Sequence, residues 1–381
     1  MKYPIGARAA TTAVFLANGS GIGAWAAAIP SIKQALHLSD AALGVGLLAF
    51  AAGAMLTMPL AGWLGVRFGS HRLTILAGIA FGAALLLPGL ASTLPALIAA
   101  MLVLGASNGM MDVAMNAHAT AVQRVWNSAI MSSFHAAFSL GGLLGAAGVG
   151  MLLSLGLGVS TCLAVAAAWV GAIVLAASLA GLSRDLGADS MRTEGAPGFA
   201  WPDASLLGIG LLAFLSMLIE GAVADWSGVF LATVAGASAA DAAAGYAAFS
   251  IAMVAGRLLG DRFVRNLGRV QALRLGAGLT AFGIAVALVF GQVGGIIGFA
   301  LVGLGMANAI PVLFTAAGRV KATAPSVGVA MAATLGYSGF LAGPPIIGFI
   351  AEAVGLRLAL TILFLAAMIV AALAGRALAR T

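Results

Sequence analysis

Charge is scarce in this sequence. Among 381 residues there are only 18 Lys and Arg and 11 Asp and Glu, 8% of the chain, where a soluble domain carries about a quarter. So few charges cannot cover the surface of a water-soluble fold of this length. Hydrophobic residues reach 62%, so water is not the main solvent of the folded chain. The same composition excludes a disordered chain. The apolar stretches are continuous and do not alternate every second residue, which argues against an outer-membrane barrel. Cysteine is confined to Cys162, so an internal disulfide is excluded. The sequence also lacks a phosphate-cradling Walker loop and a His-Glu-x-x-His motif, and no two of its four histidines lie three or four residues apart. ATP-driven work by this chain alone and a helix-borne metal pair are thus disfavoured. No nucleophile–base pair emerges from spacing, so no enzyme activity, metal or cofactor is expected.

What the chain has in quantity is long apolar runs. About 20 apolar residues cross a bilayer as a helix. Twelve such spans are predicted, near residues 9–29, 41–64, 73–93, 96–120, 130–152, 159–181, 204–231, 242–260, 270–290, 293–316, 326–351 and 357–377. The first resembles a signal peptide, with Lys2 and Arg8 before an apolar run, but its length and the spans that follow favour a retained helix. If the N-terminus is cytoplasmic, only Lys33 and Arg357 of the 18 basic residues fall at the opposite ends of spans, and Arg257 falls inside one. That bias is the positive-inside pattern. It predicts an inner-membrane protein with both termini cytoplasmic, and it explains the net charge of +7 without nucleic acid. The longest polar stretch reads as a cytoplasmic linker. The expected organisation is an N-terminal six-helix bundle (1–182), a linker (183–203) and a C-terminal six-helix bundle (204–381).

The halves echo each other at an offset near 200 residues. Gly105-Ala-Ser-Asn108 in the fourth span matches Gly305-Met-Ala-Asn308 in the tenth. Phe138 to Gly145 is echoed by Phe340 to Gly348, and Trp25 with Asp40 by Trp226 with Asp241. A parallel duplication of six spans is a transporter architecture. Glycine, 53 residues, is about twice its usual share, as close helix crossing in membranes requires.

The loop after the second span reads Gly62-Trp-Leu-Gly-Val66-Arg67-Phe-Gly69-Ser-His71-Arg72. It resembles the cytoplasmic loop motif of the major facilitator superfamily, with Val66 where that family has an acid. Its second-half counterpart, Gly256-Arg257-Leu-Leu-Gly260-Asp261-Arg262, keeps the acid. Four further segments are similar to the bacterial inner-membrane branch that includes the rhizopine-associated permease and fucose-permease relatives. They are Asn108-Gly-Met-Met-Asp112-Val-Ala-Met-Asn116, Phe134-His135-Ala-Ala-Phe138-Ser139-Leu-Gly141-Gly142, Glu220-Gly-Ala-Val-Ala-Asp225-Trp226 and Gly336-Tyr337-Ser-Gly-Phe340-Leu-Ala-Gly343-Pro344-Pro345. The resemblance covers essentially the whole chain. It implies an all-α membrane protein of twelve helices in two six-helix bundles and secondary transport. It also implies gating at Arg67, Arg72, Arg257, Asp261 and Arg262.

Ionisable groups inside spans cost about 2.5–3.5 kcal/mol each on insertion scales, so they are the place to look for chemistry. Asp112 and Glu220 are the two acids the membrane has least reason to tolerate. With His135, whose unperturbed pKa lies near 6.5, they are the candidate proton-coupling residues. Asn108, Asp112 and Asn116 share one helix face by their spacing of four. Asp225, five residues after Glu220, lies about 140° round an ideal helix from it. Candidate solute contacts are Asn18, Trp25, Asn108, Asn116, Asp225, Trp226, Asn308 and Tyr337, since amides bind hydroxyls and aromatic faces stack on sugar rings. Each has a structural alternative: an amide seam between helices, an ion pair at Glu220, an interface position for Asp225 and Trp226, packing for the aromatics. Arg257 pairs with Asp261 one turn on, or snorkels. Pro344 and Pro345 bend the eleventh span and mark a gating hinge.

The expected function is proton-coupled movement of a small polar solute, of sugar, polyol or inositol kind, by a monomer in the lipid bilayer. Efflux by proton antiport is less favoured, because the fifth span lacks the Gly-Pro step of family antiporters. A non-transporting receptor is disfavoured because the longest stretch outside the spans is only about 20 residues, shorter than any interaction domain.

Overall fold

The structure, a computed structural model, describes residues 3–126, 130–182, 204–320 and 325–379. The expected linker lies outside these residues. Among the described residues every regular element is a helix. Twelve helices are long and apolar enough to cross a membrane: α1 (Ile5–Ala35), α2 (Asp40–Gly65), α3 (Ser70–Leu90), α4 (Leu94–Gln123), α5 (Ser133–Ser154), α6 (Val159–Ala180), α7 (Leu206–Thr233), α8 (Ala239–Gly260), α9 (Arg269–Val289), α10 (Gly291–Ala317), α11 (Met331–Val354) and α12 (Leu356–Leu378). Each coincides with a predicted span. Their outward surface carries large apolar side chains, such as Leu179 at 90% exposure, with Leu56, Leu258 and Phe290. Apolar cover on this scale is unstable in water and is satisfied by lipid.

The chain divides into two compact units, Met1–Gly195 and Ala196–Thr381. In the first, α1 packs on α5 and α6, α2 on α4, and α3 on α4 and α6. In the second, α7 packs on α11 and α12, α8 on α10, and α9 on α10 and α12. The order of pairings is the same, as a duplication requires. Turn geometry repeats with it. Left-handed backbone occurs at His37, Gly69 and Gly156 (φ 50, 80 and 85 in ascending order for His37, Gly156 and Gly69), and again at Gly236, Gly268 and Gly355 (φ 72, 77 and 82). These are corresponding turns. Glycine enters this region without steric cost, whereas a side chain raises the energy by about 1–2 kcal/mol. Ser39 and Ser238 cap the second helix of their respective units, accepting from the Ala42 and Asp241 amides.

Glycines let paired helices touch backbone to backbone. A Cβ at Gly19 on α1 would strike the Phe138 carbonyl of α5, and one at Gly141 would strike the Leu16 carbonyl. In the second unit, Gly221 on α7 meets the Phe340 carbonyl of α11, and Gly339 meets that of Phe214. The α2–α4 pair uses Gly53 and Gly105 in the same way. With lipid tails as apolar as leucine, this close van der Waals contact holds membrane helices together.

Span α10 is broken. It runs Gly291–Met306, turns at Ala307 and Asn308, and resumes over Ala309–Ala317. Pro311 explains the break: it has no amide to donate, and its ring collides with the carbonyl four residues earlier, that of Ala307.

Candidate functional site

Each unit carries a polar cluster inside its spans. In the second unit α7 presents Ser216, Glu220 and Ser227 along one face, with Asp225 further round the helix. Facing it, α8 presents Tyr246, Ser250 and Arg257. The Arg257 guanidinium lies 3.6 Å from Glu220 Oε1, and both side chains are 22% exposed. A tight charge-assisted bond is about 2.7–2.9 Å, so this pair is held loosely. The buried Tyr246 hydroxyl shares a hydrogen bond with Ser250 and lies within electrostatic range of Glu220, Asp225 and Arg257. Its ring packs at 6.0 Å from Phe249. Asp225 is half-buried. The Ser216 and Ser227 hydroxyls are buried without a protein partner among the described residues.

Arg257 was expected to meet Asp261 on its own helix or to snorkel, and the structure pairs it with Glu220 on α7. The reason is direction: helical side chains lean toward the N-terminus, which carries Arg257 back along α8 toward the level of Glu220. The Asp261 side chain lies outside the described residues. Trp226 also differs from expectation as a solute contact. It is fully buried, and its indole N–H donates to the Pro344 carbonyl at 2.9 Å. It therefore ties α7 to the Pro344–Pro345 step of α11, which itself remains helical. Asn308 stands at the break of α10 and donates to the Gly256 carbonyl of α8 at 3.1 Å. Tyr337 is half-buried on α11.

In the first unit the Asn18 amide, buried on α1, donates to Asn108 Oδ1 of α4 at 2.9 Å and contacts Met111 Sδ at 3.5 Å. One turn along α4, the Asn116 amide donates to the Asp112 carboxylate at 3.1 Å and to its carbonyl at 2.9 Å. Asp112 is half-buried. Half-buried His135 on α5 stands edge-on to Phe15 of α1 at 5.4 Å. Trp25 is buried on α1, 3% exposed. The structure thus joins Asn18 to Asn108 and Asp112 to Asn116, two neighbouring amide pairs on one helix.

Of the gating candidates, Arg67, Arg72 and Arg262 are exposed. Arg67 lies over the Trp63 and Phe68 rings at 5.6 and 5.5 Å. His71, expected in a loop, is buried in the first turn of α3 next to His118 of α4. His118 Nδ1 is 3.4 Å from Ser70 Oγ. Trp126, expected at a lipid interface, sits under the Arg8 guanidinium at 4.8 Å.

Tyr246 and Ser250 were not anticipated. The signal was present: Tyr246, Ser250 and Arg257 fall four and seven residues apart, one face of a helix. The matching stripe on α7 stands out through its acid, but a tyrosine and a serine fit an apolar span unremarked. Among the described residues no group of three His, Cys, Asp or Glu is placed to hold a metal ion.

Twelve apolar helices, repeated six by six, with ionisable groups inside the spans, define a multi-pass membrane transporter. The match to the family model described as Major Facilitator Superfamily spans residues 11–338. The chain is 41% identical over 369 residues to an MFS-type transporter of Yersinia pestis, covering 97% of this chain and 95% of that protein. It is 37% identical over 363 residues to membrane protein MosC of Rhizobium meliloti, covering 94% and 86%. The fold matches the nucleoside transporter NupG with a TM-score of 0.76 at 13% identity, over 97% of this chain and 99% of that one. It also matches a bacterial homologue of the human lysosomal transporter Spinster in its inward-facing state, with a TM-score of 0.74 at 15% identity, over 100% and 98%. The chain belongs to the major facilitator superfamily, a family of transporters and not of enzymes.

Proposed function

We propose that the protein is a proton-coupled permease that carries a small polar solute, of sugar, polyol or inositol kind, across the bacterial inner membrane by alternating access. It works as a monomer with both termini cytoplasmic, the orientation the basic residues favour. The observation that carries the proposal is the loose Glu220–Arg257 pair inside the α7 and α8 spans, beside Tyr246, Ser250 and Asp225. A membrane span keeps such groups only where they act. Glu220 has two ways to be neutralised: the guanidinium at 3.6 Å, or a proton. Exchange of one for the other links the charge state of α7 to the freedom of Arg257. Asp112 plays the matching part in the first unit, held by Asn116, with His135 as a second proton group.

Solute recognition falls to the amides. Asn18 and Asn108 use one donor and one acceptor on each other, and each amide has further hydrogen-bonding capacity for hydroxyls. Asn116, Asn308, Tyr337, Asp225 and Trp25 complete the proposed set. Arg67, Arg72, Asp261 and Arg262 serve the gate, with Pro344 and Pro345 as its bend.

Reconstitution in liposomes tests this reading. Sugars and polyols, screened first by thermal shift, are offered with and without an imposed pH gradient. Glu220→Gln and Asp112→Asn are expected to abolish gradient-driven accumulation while keeping solute exchange. Full gradient-driven accumulation in both variants removes the proton from the mechanism. Accumulation rather than depletion in expressing cells establishes uptake against efflux.

A further inference from the structure

The ionisable groups of α7 and α8 form a sequence along the membrane, and two hydroxyls stand within it. The short connection after α7 makes α7 and α8 antiparallel neighbours. Their register is fixed where Gly245 of α8 lies against Ser227 and Leu231 of α7. At equal rise on both helices, that register sets Tyr246 level with Trp226, beside Asp225, and Ser250 level with about Ala222. Ser250 thus stands between the levels of Asp225 and Glu220. Tyr246 and Ser250 are bonded to each other, and both are buried. The charged groups that act on Tyr246 are Glu220 and Asp225 from α7 and Arg257 from its own helix.

We infer that Tyr246 and Ser250 are a proton relay that connects Asp225, nearer the α7–α8 turn, to Glu220. The inference rests on the proposed role of Glu220 as a proton site and adds the route. Hydroxyls suit the task because each has one donor and two acceptor positions. A proton that reaches the Asp225 carboxylate makes it neutral. The Asp225 acid gives its proton to the Tyr246 oxygen while the Tyr246 proton passes to Ser250 Oγ, and the Ser250 proton passes to the Glu220 carboxylate. Asp225 ends ionised, Glu220 ends neutral, and each hydroxyl again has one proton. Neutral Glu220 releases Arg257. The five-residue separation of the two acids, about 7.5 Å of rise and 140° of turn, is too great for direct transfer. The two hydroxyls bridge it.

The test needs no solute. The protein in liposomes is given a rapid pH drop, and the protonated-carboxyl infrared band of Glu220, assigned by subtraction of Glu220→Gln, is followed in time. Tyr246→Phe keeps the ring against Phe249 and removes only the hydroxyl. The relay predicts that its Glu220 band reaches the wild-type amplitude but rises about a hundredfold more slowly, the scale of a lost acid–base partner. Ser250→Ala is expected to slow it similarly. A wild-type rate in Tyr246→Phe, with Ser250→Ala also unchanged, overturns the relay and leaves Glu220 as a proton site reached by another path. Loss of amplitude in Tyr246→Phe also overturns it, since the hydroxyl then sets the charge state and not the route. Absence of any Glu220 band in the wild type removes the proton role of Glu220 itself, and the relay with it.

Discussion

The Glu220–Arg257 pair makes a quantitative prediction through a double-mutant cycle. At 3.6 Å, two unit charges attract by about 4.6 kcal/mol at an effective dielectric near 20. Both side chains are 22% exposed, and each loses solvation to form the pair, so the net coupling is smaller, about 2 kcal/mol. The single variants differ in sign of what they strand. Arg257→Gln leaves a carboxylate near the middle of α7 without its counter-charge and is expected to cost about 3 kcal/mol. Glu220→Gln leaves a guanidinium on a long stem three residues from the end of α8, where it can snorkel, so about 1 kcal/mol is expected. The double variant is expected to be more stable than Arg257→Gln alone. Unfolding of the purified protein in increasing dodecyl sulfate, for wild type, both singles and the double, reads the coupling directly. A coupling below about 0.5 kcal/mol, the tolerance for independent sites, refutes the pair as an energetic unit. A larger cost for Glu220→Gln than for Arg257→Gln refutes the snorkelling argument.

Two further outcomes follow from backbone geometry. Gly19→Ala is expected to prevent correct assembly of the first unit, because its methyl group overlaps the Phe138 carbonyl, whereas Gly148→Ala on α5, with open space around it, leaves a monodisperse size-exclusion profile unchanged. His37→Gly relieves a left-handed residue and is expected to raise stability by about 0.5–1 kcal/mol, read as a shifted unfolding midpoint.

The twelve spans were legible because each must satisfy the bilayer by its own composition, a local property. The duplication was legible for the same reason: Asn108 and Asn308 keep their order. Pairing was not local. Glu220 and Arg257 are far apart in the chain, and Asn18 meets Asn108 across 90 residues. Which faces meet follows from where glycines allow contact, and spacing on one helix does not reveal it. The matching asparagines show the limit. Asn108 sits in an unbroken helix and bonds another side chain, while Asn308 sits at a break made by Pro311 and bonds a carbonyl. Hydropathy runs on through Pro311, so the break was hidden. His71 was misplaced because Gly69 turns the chain tightly enough for α3 to begin one residue before it.

The glycine contacts also say which parts of each unit are stiff. Packed helices usually slide by letting side chains change rotamers at the interface. Where the Phe138 carbonyl lies over Gly19, and the Phe340 carbonyl over Gly221, there is no side chain to yield. A one-turn slip would bring a Cβ onto backbone unless glycine recurred at the new register. The α1–α5 and α7–α11 pairs therefore behave as spars, each carried whole through any conformational change. Compliance is left to the interrupted elements: α3 at Leu85, α10 at Asn308 and α12 at Leu360. A spectroscopic probe on either side of Asn308 thus has motion to report that a pair across Gly19 and Phe138 does not.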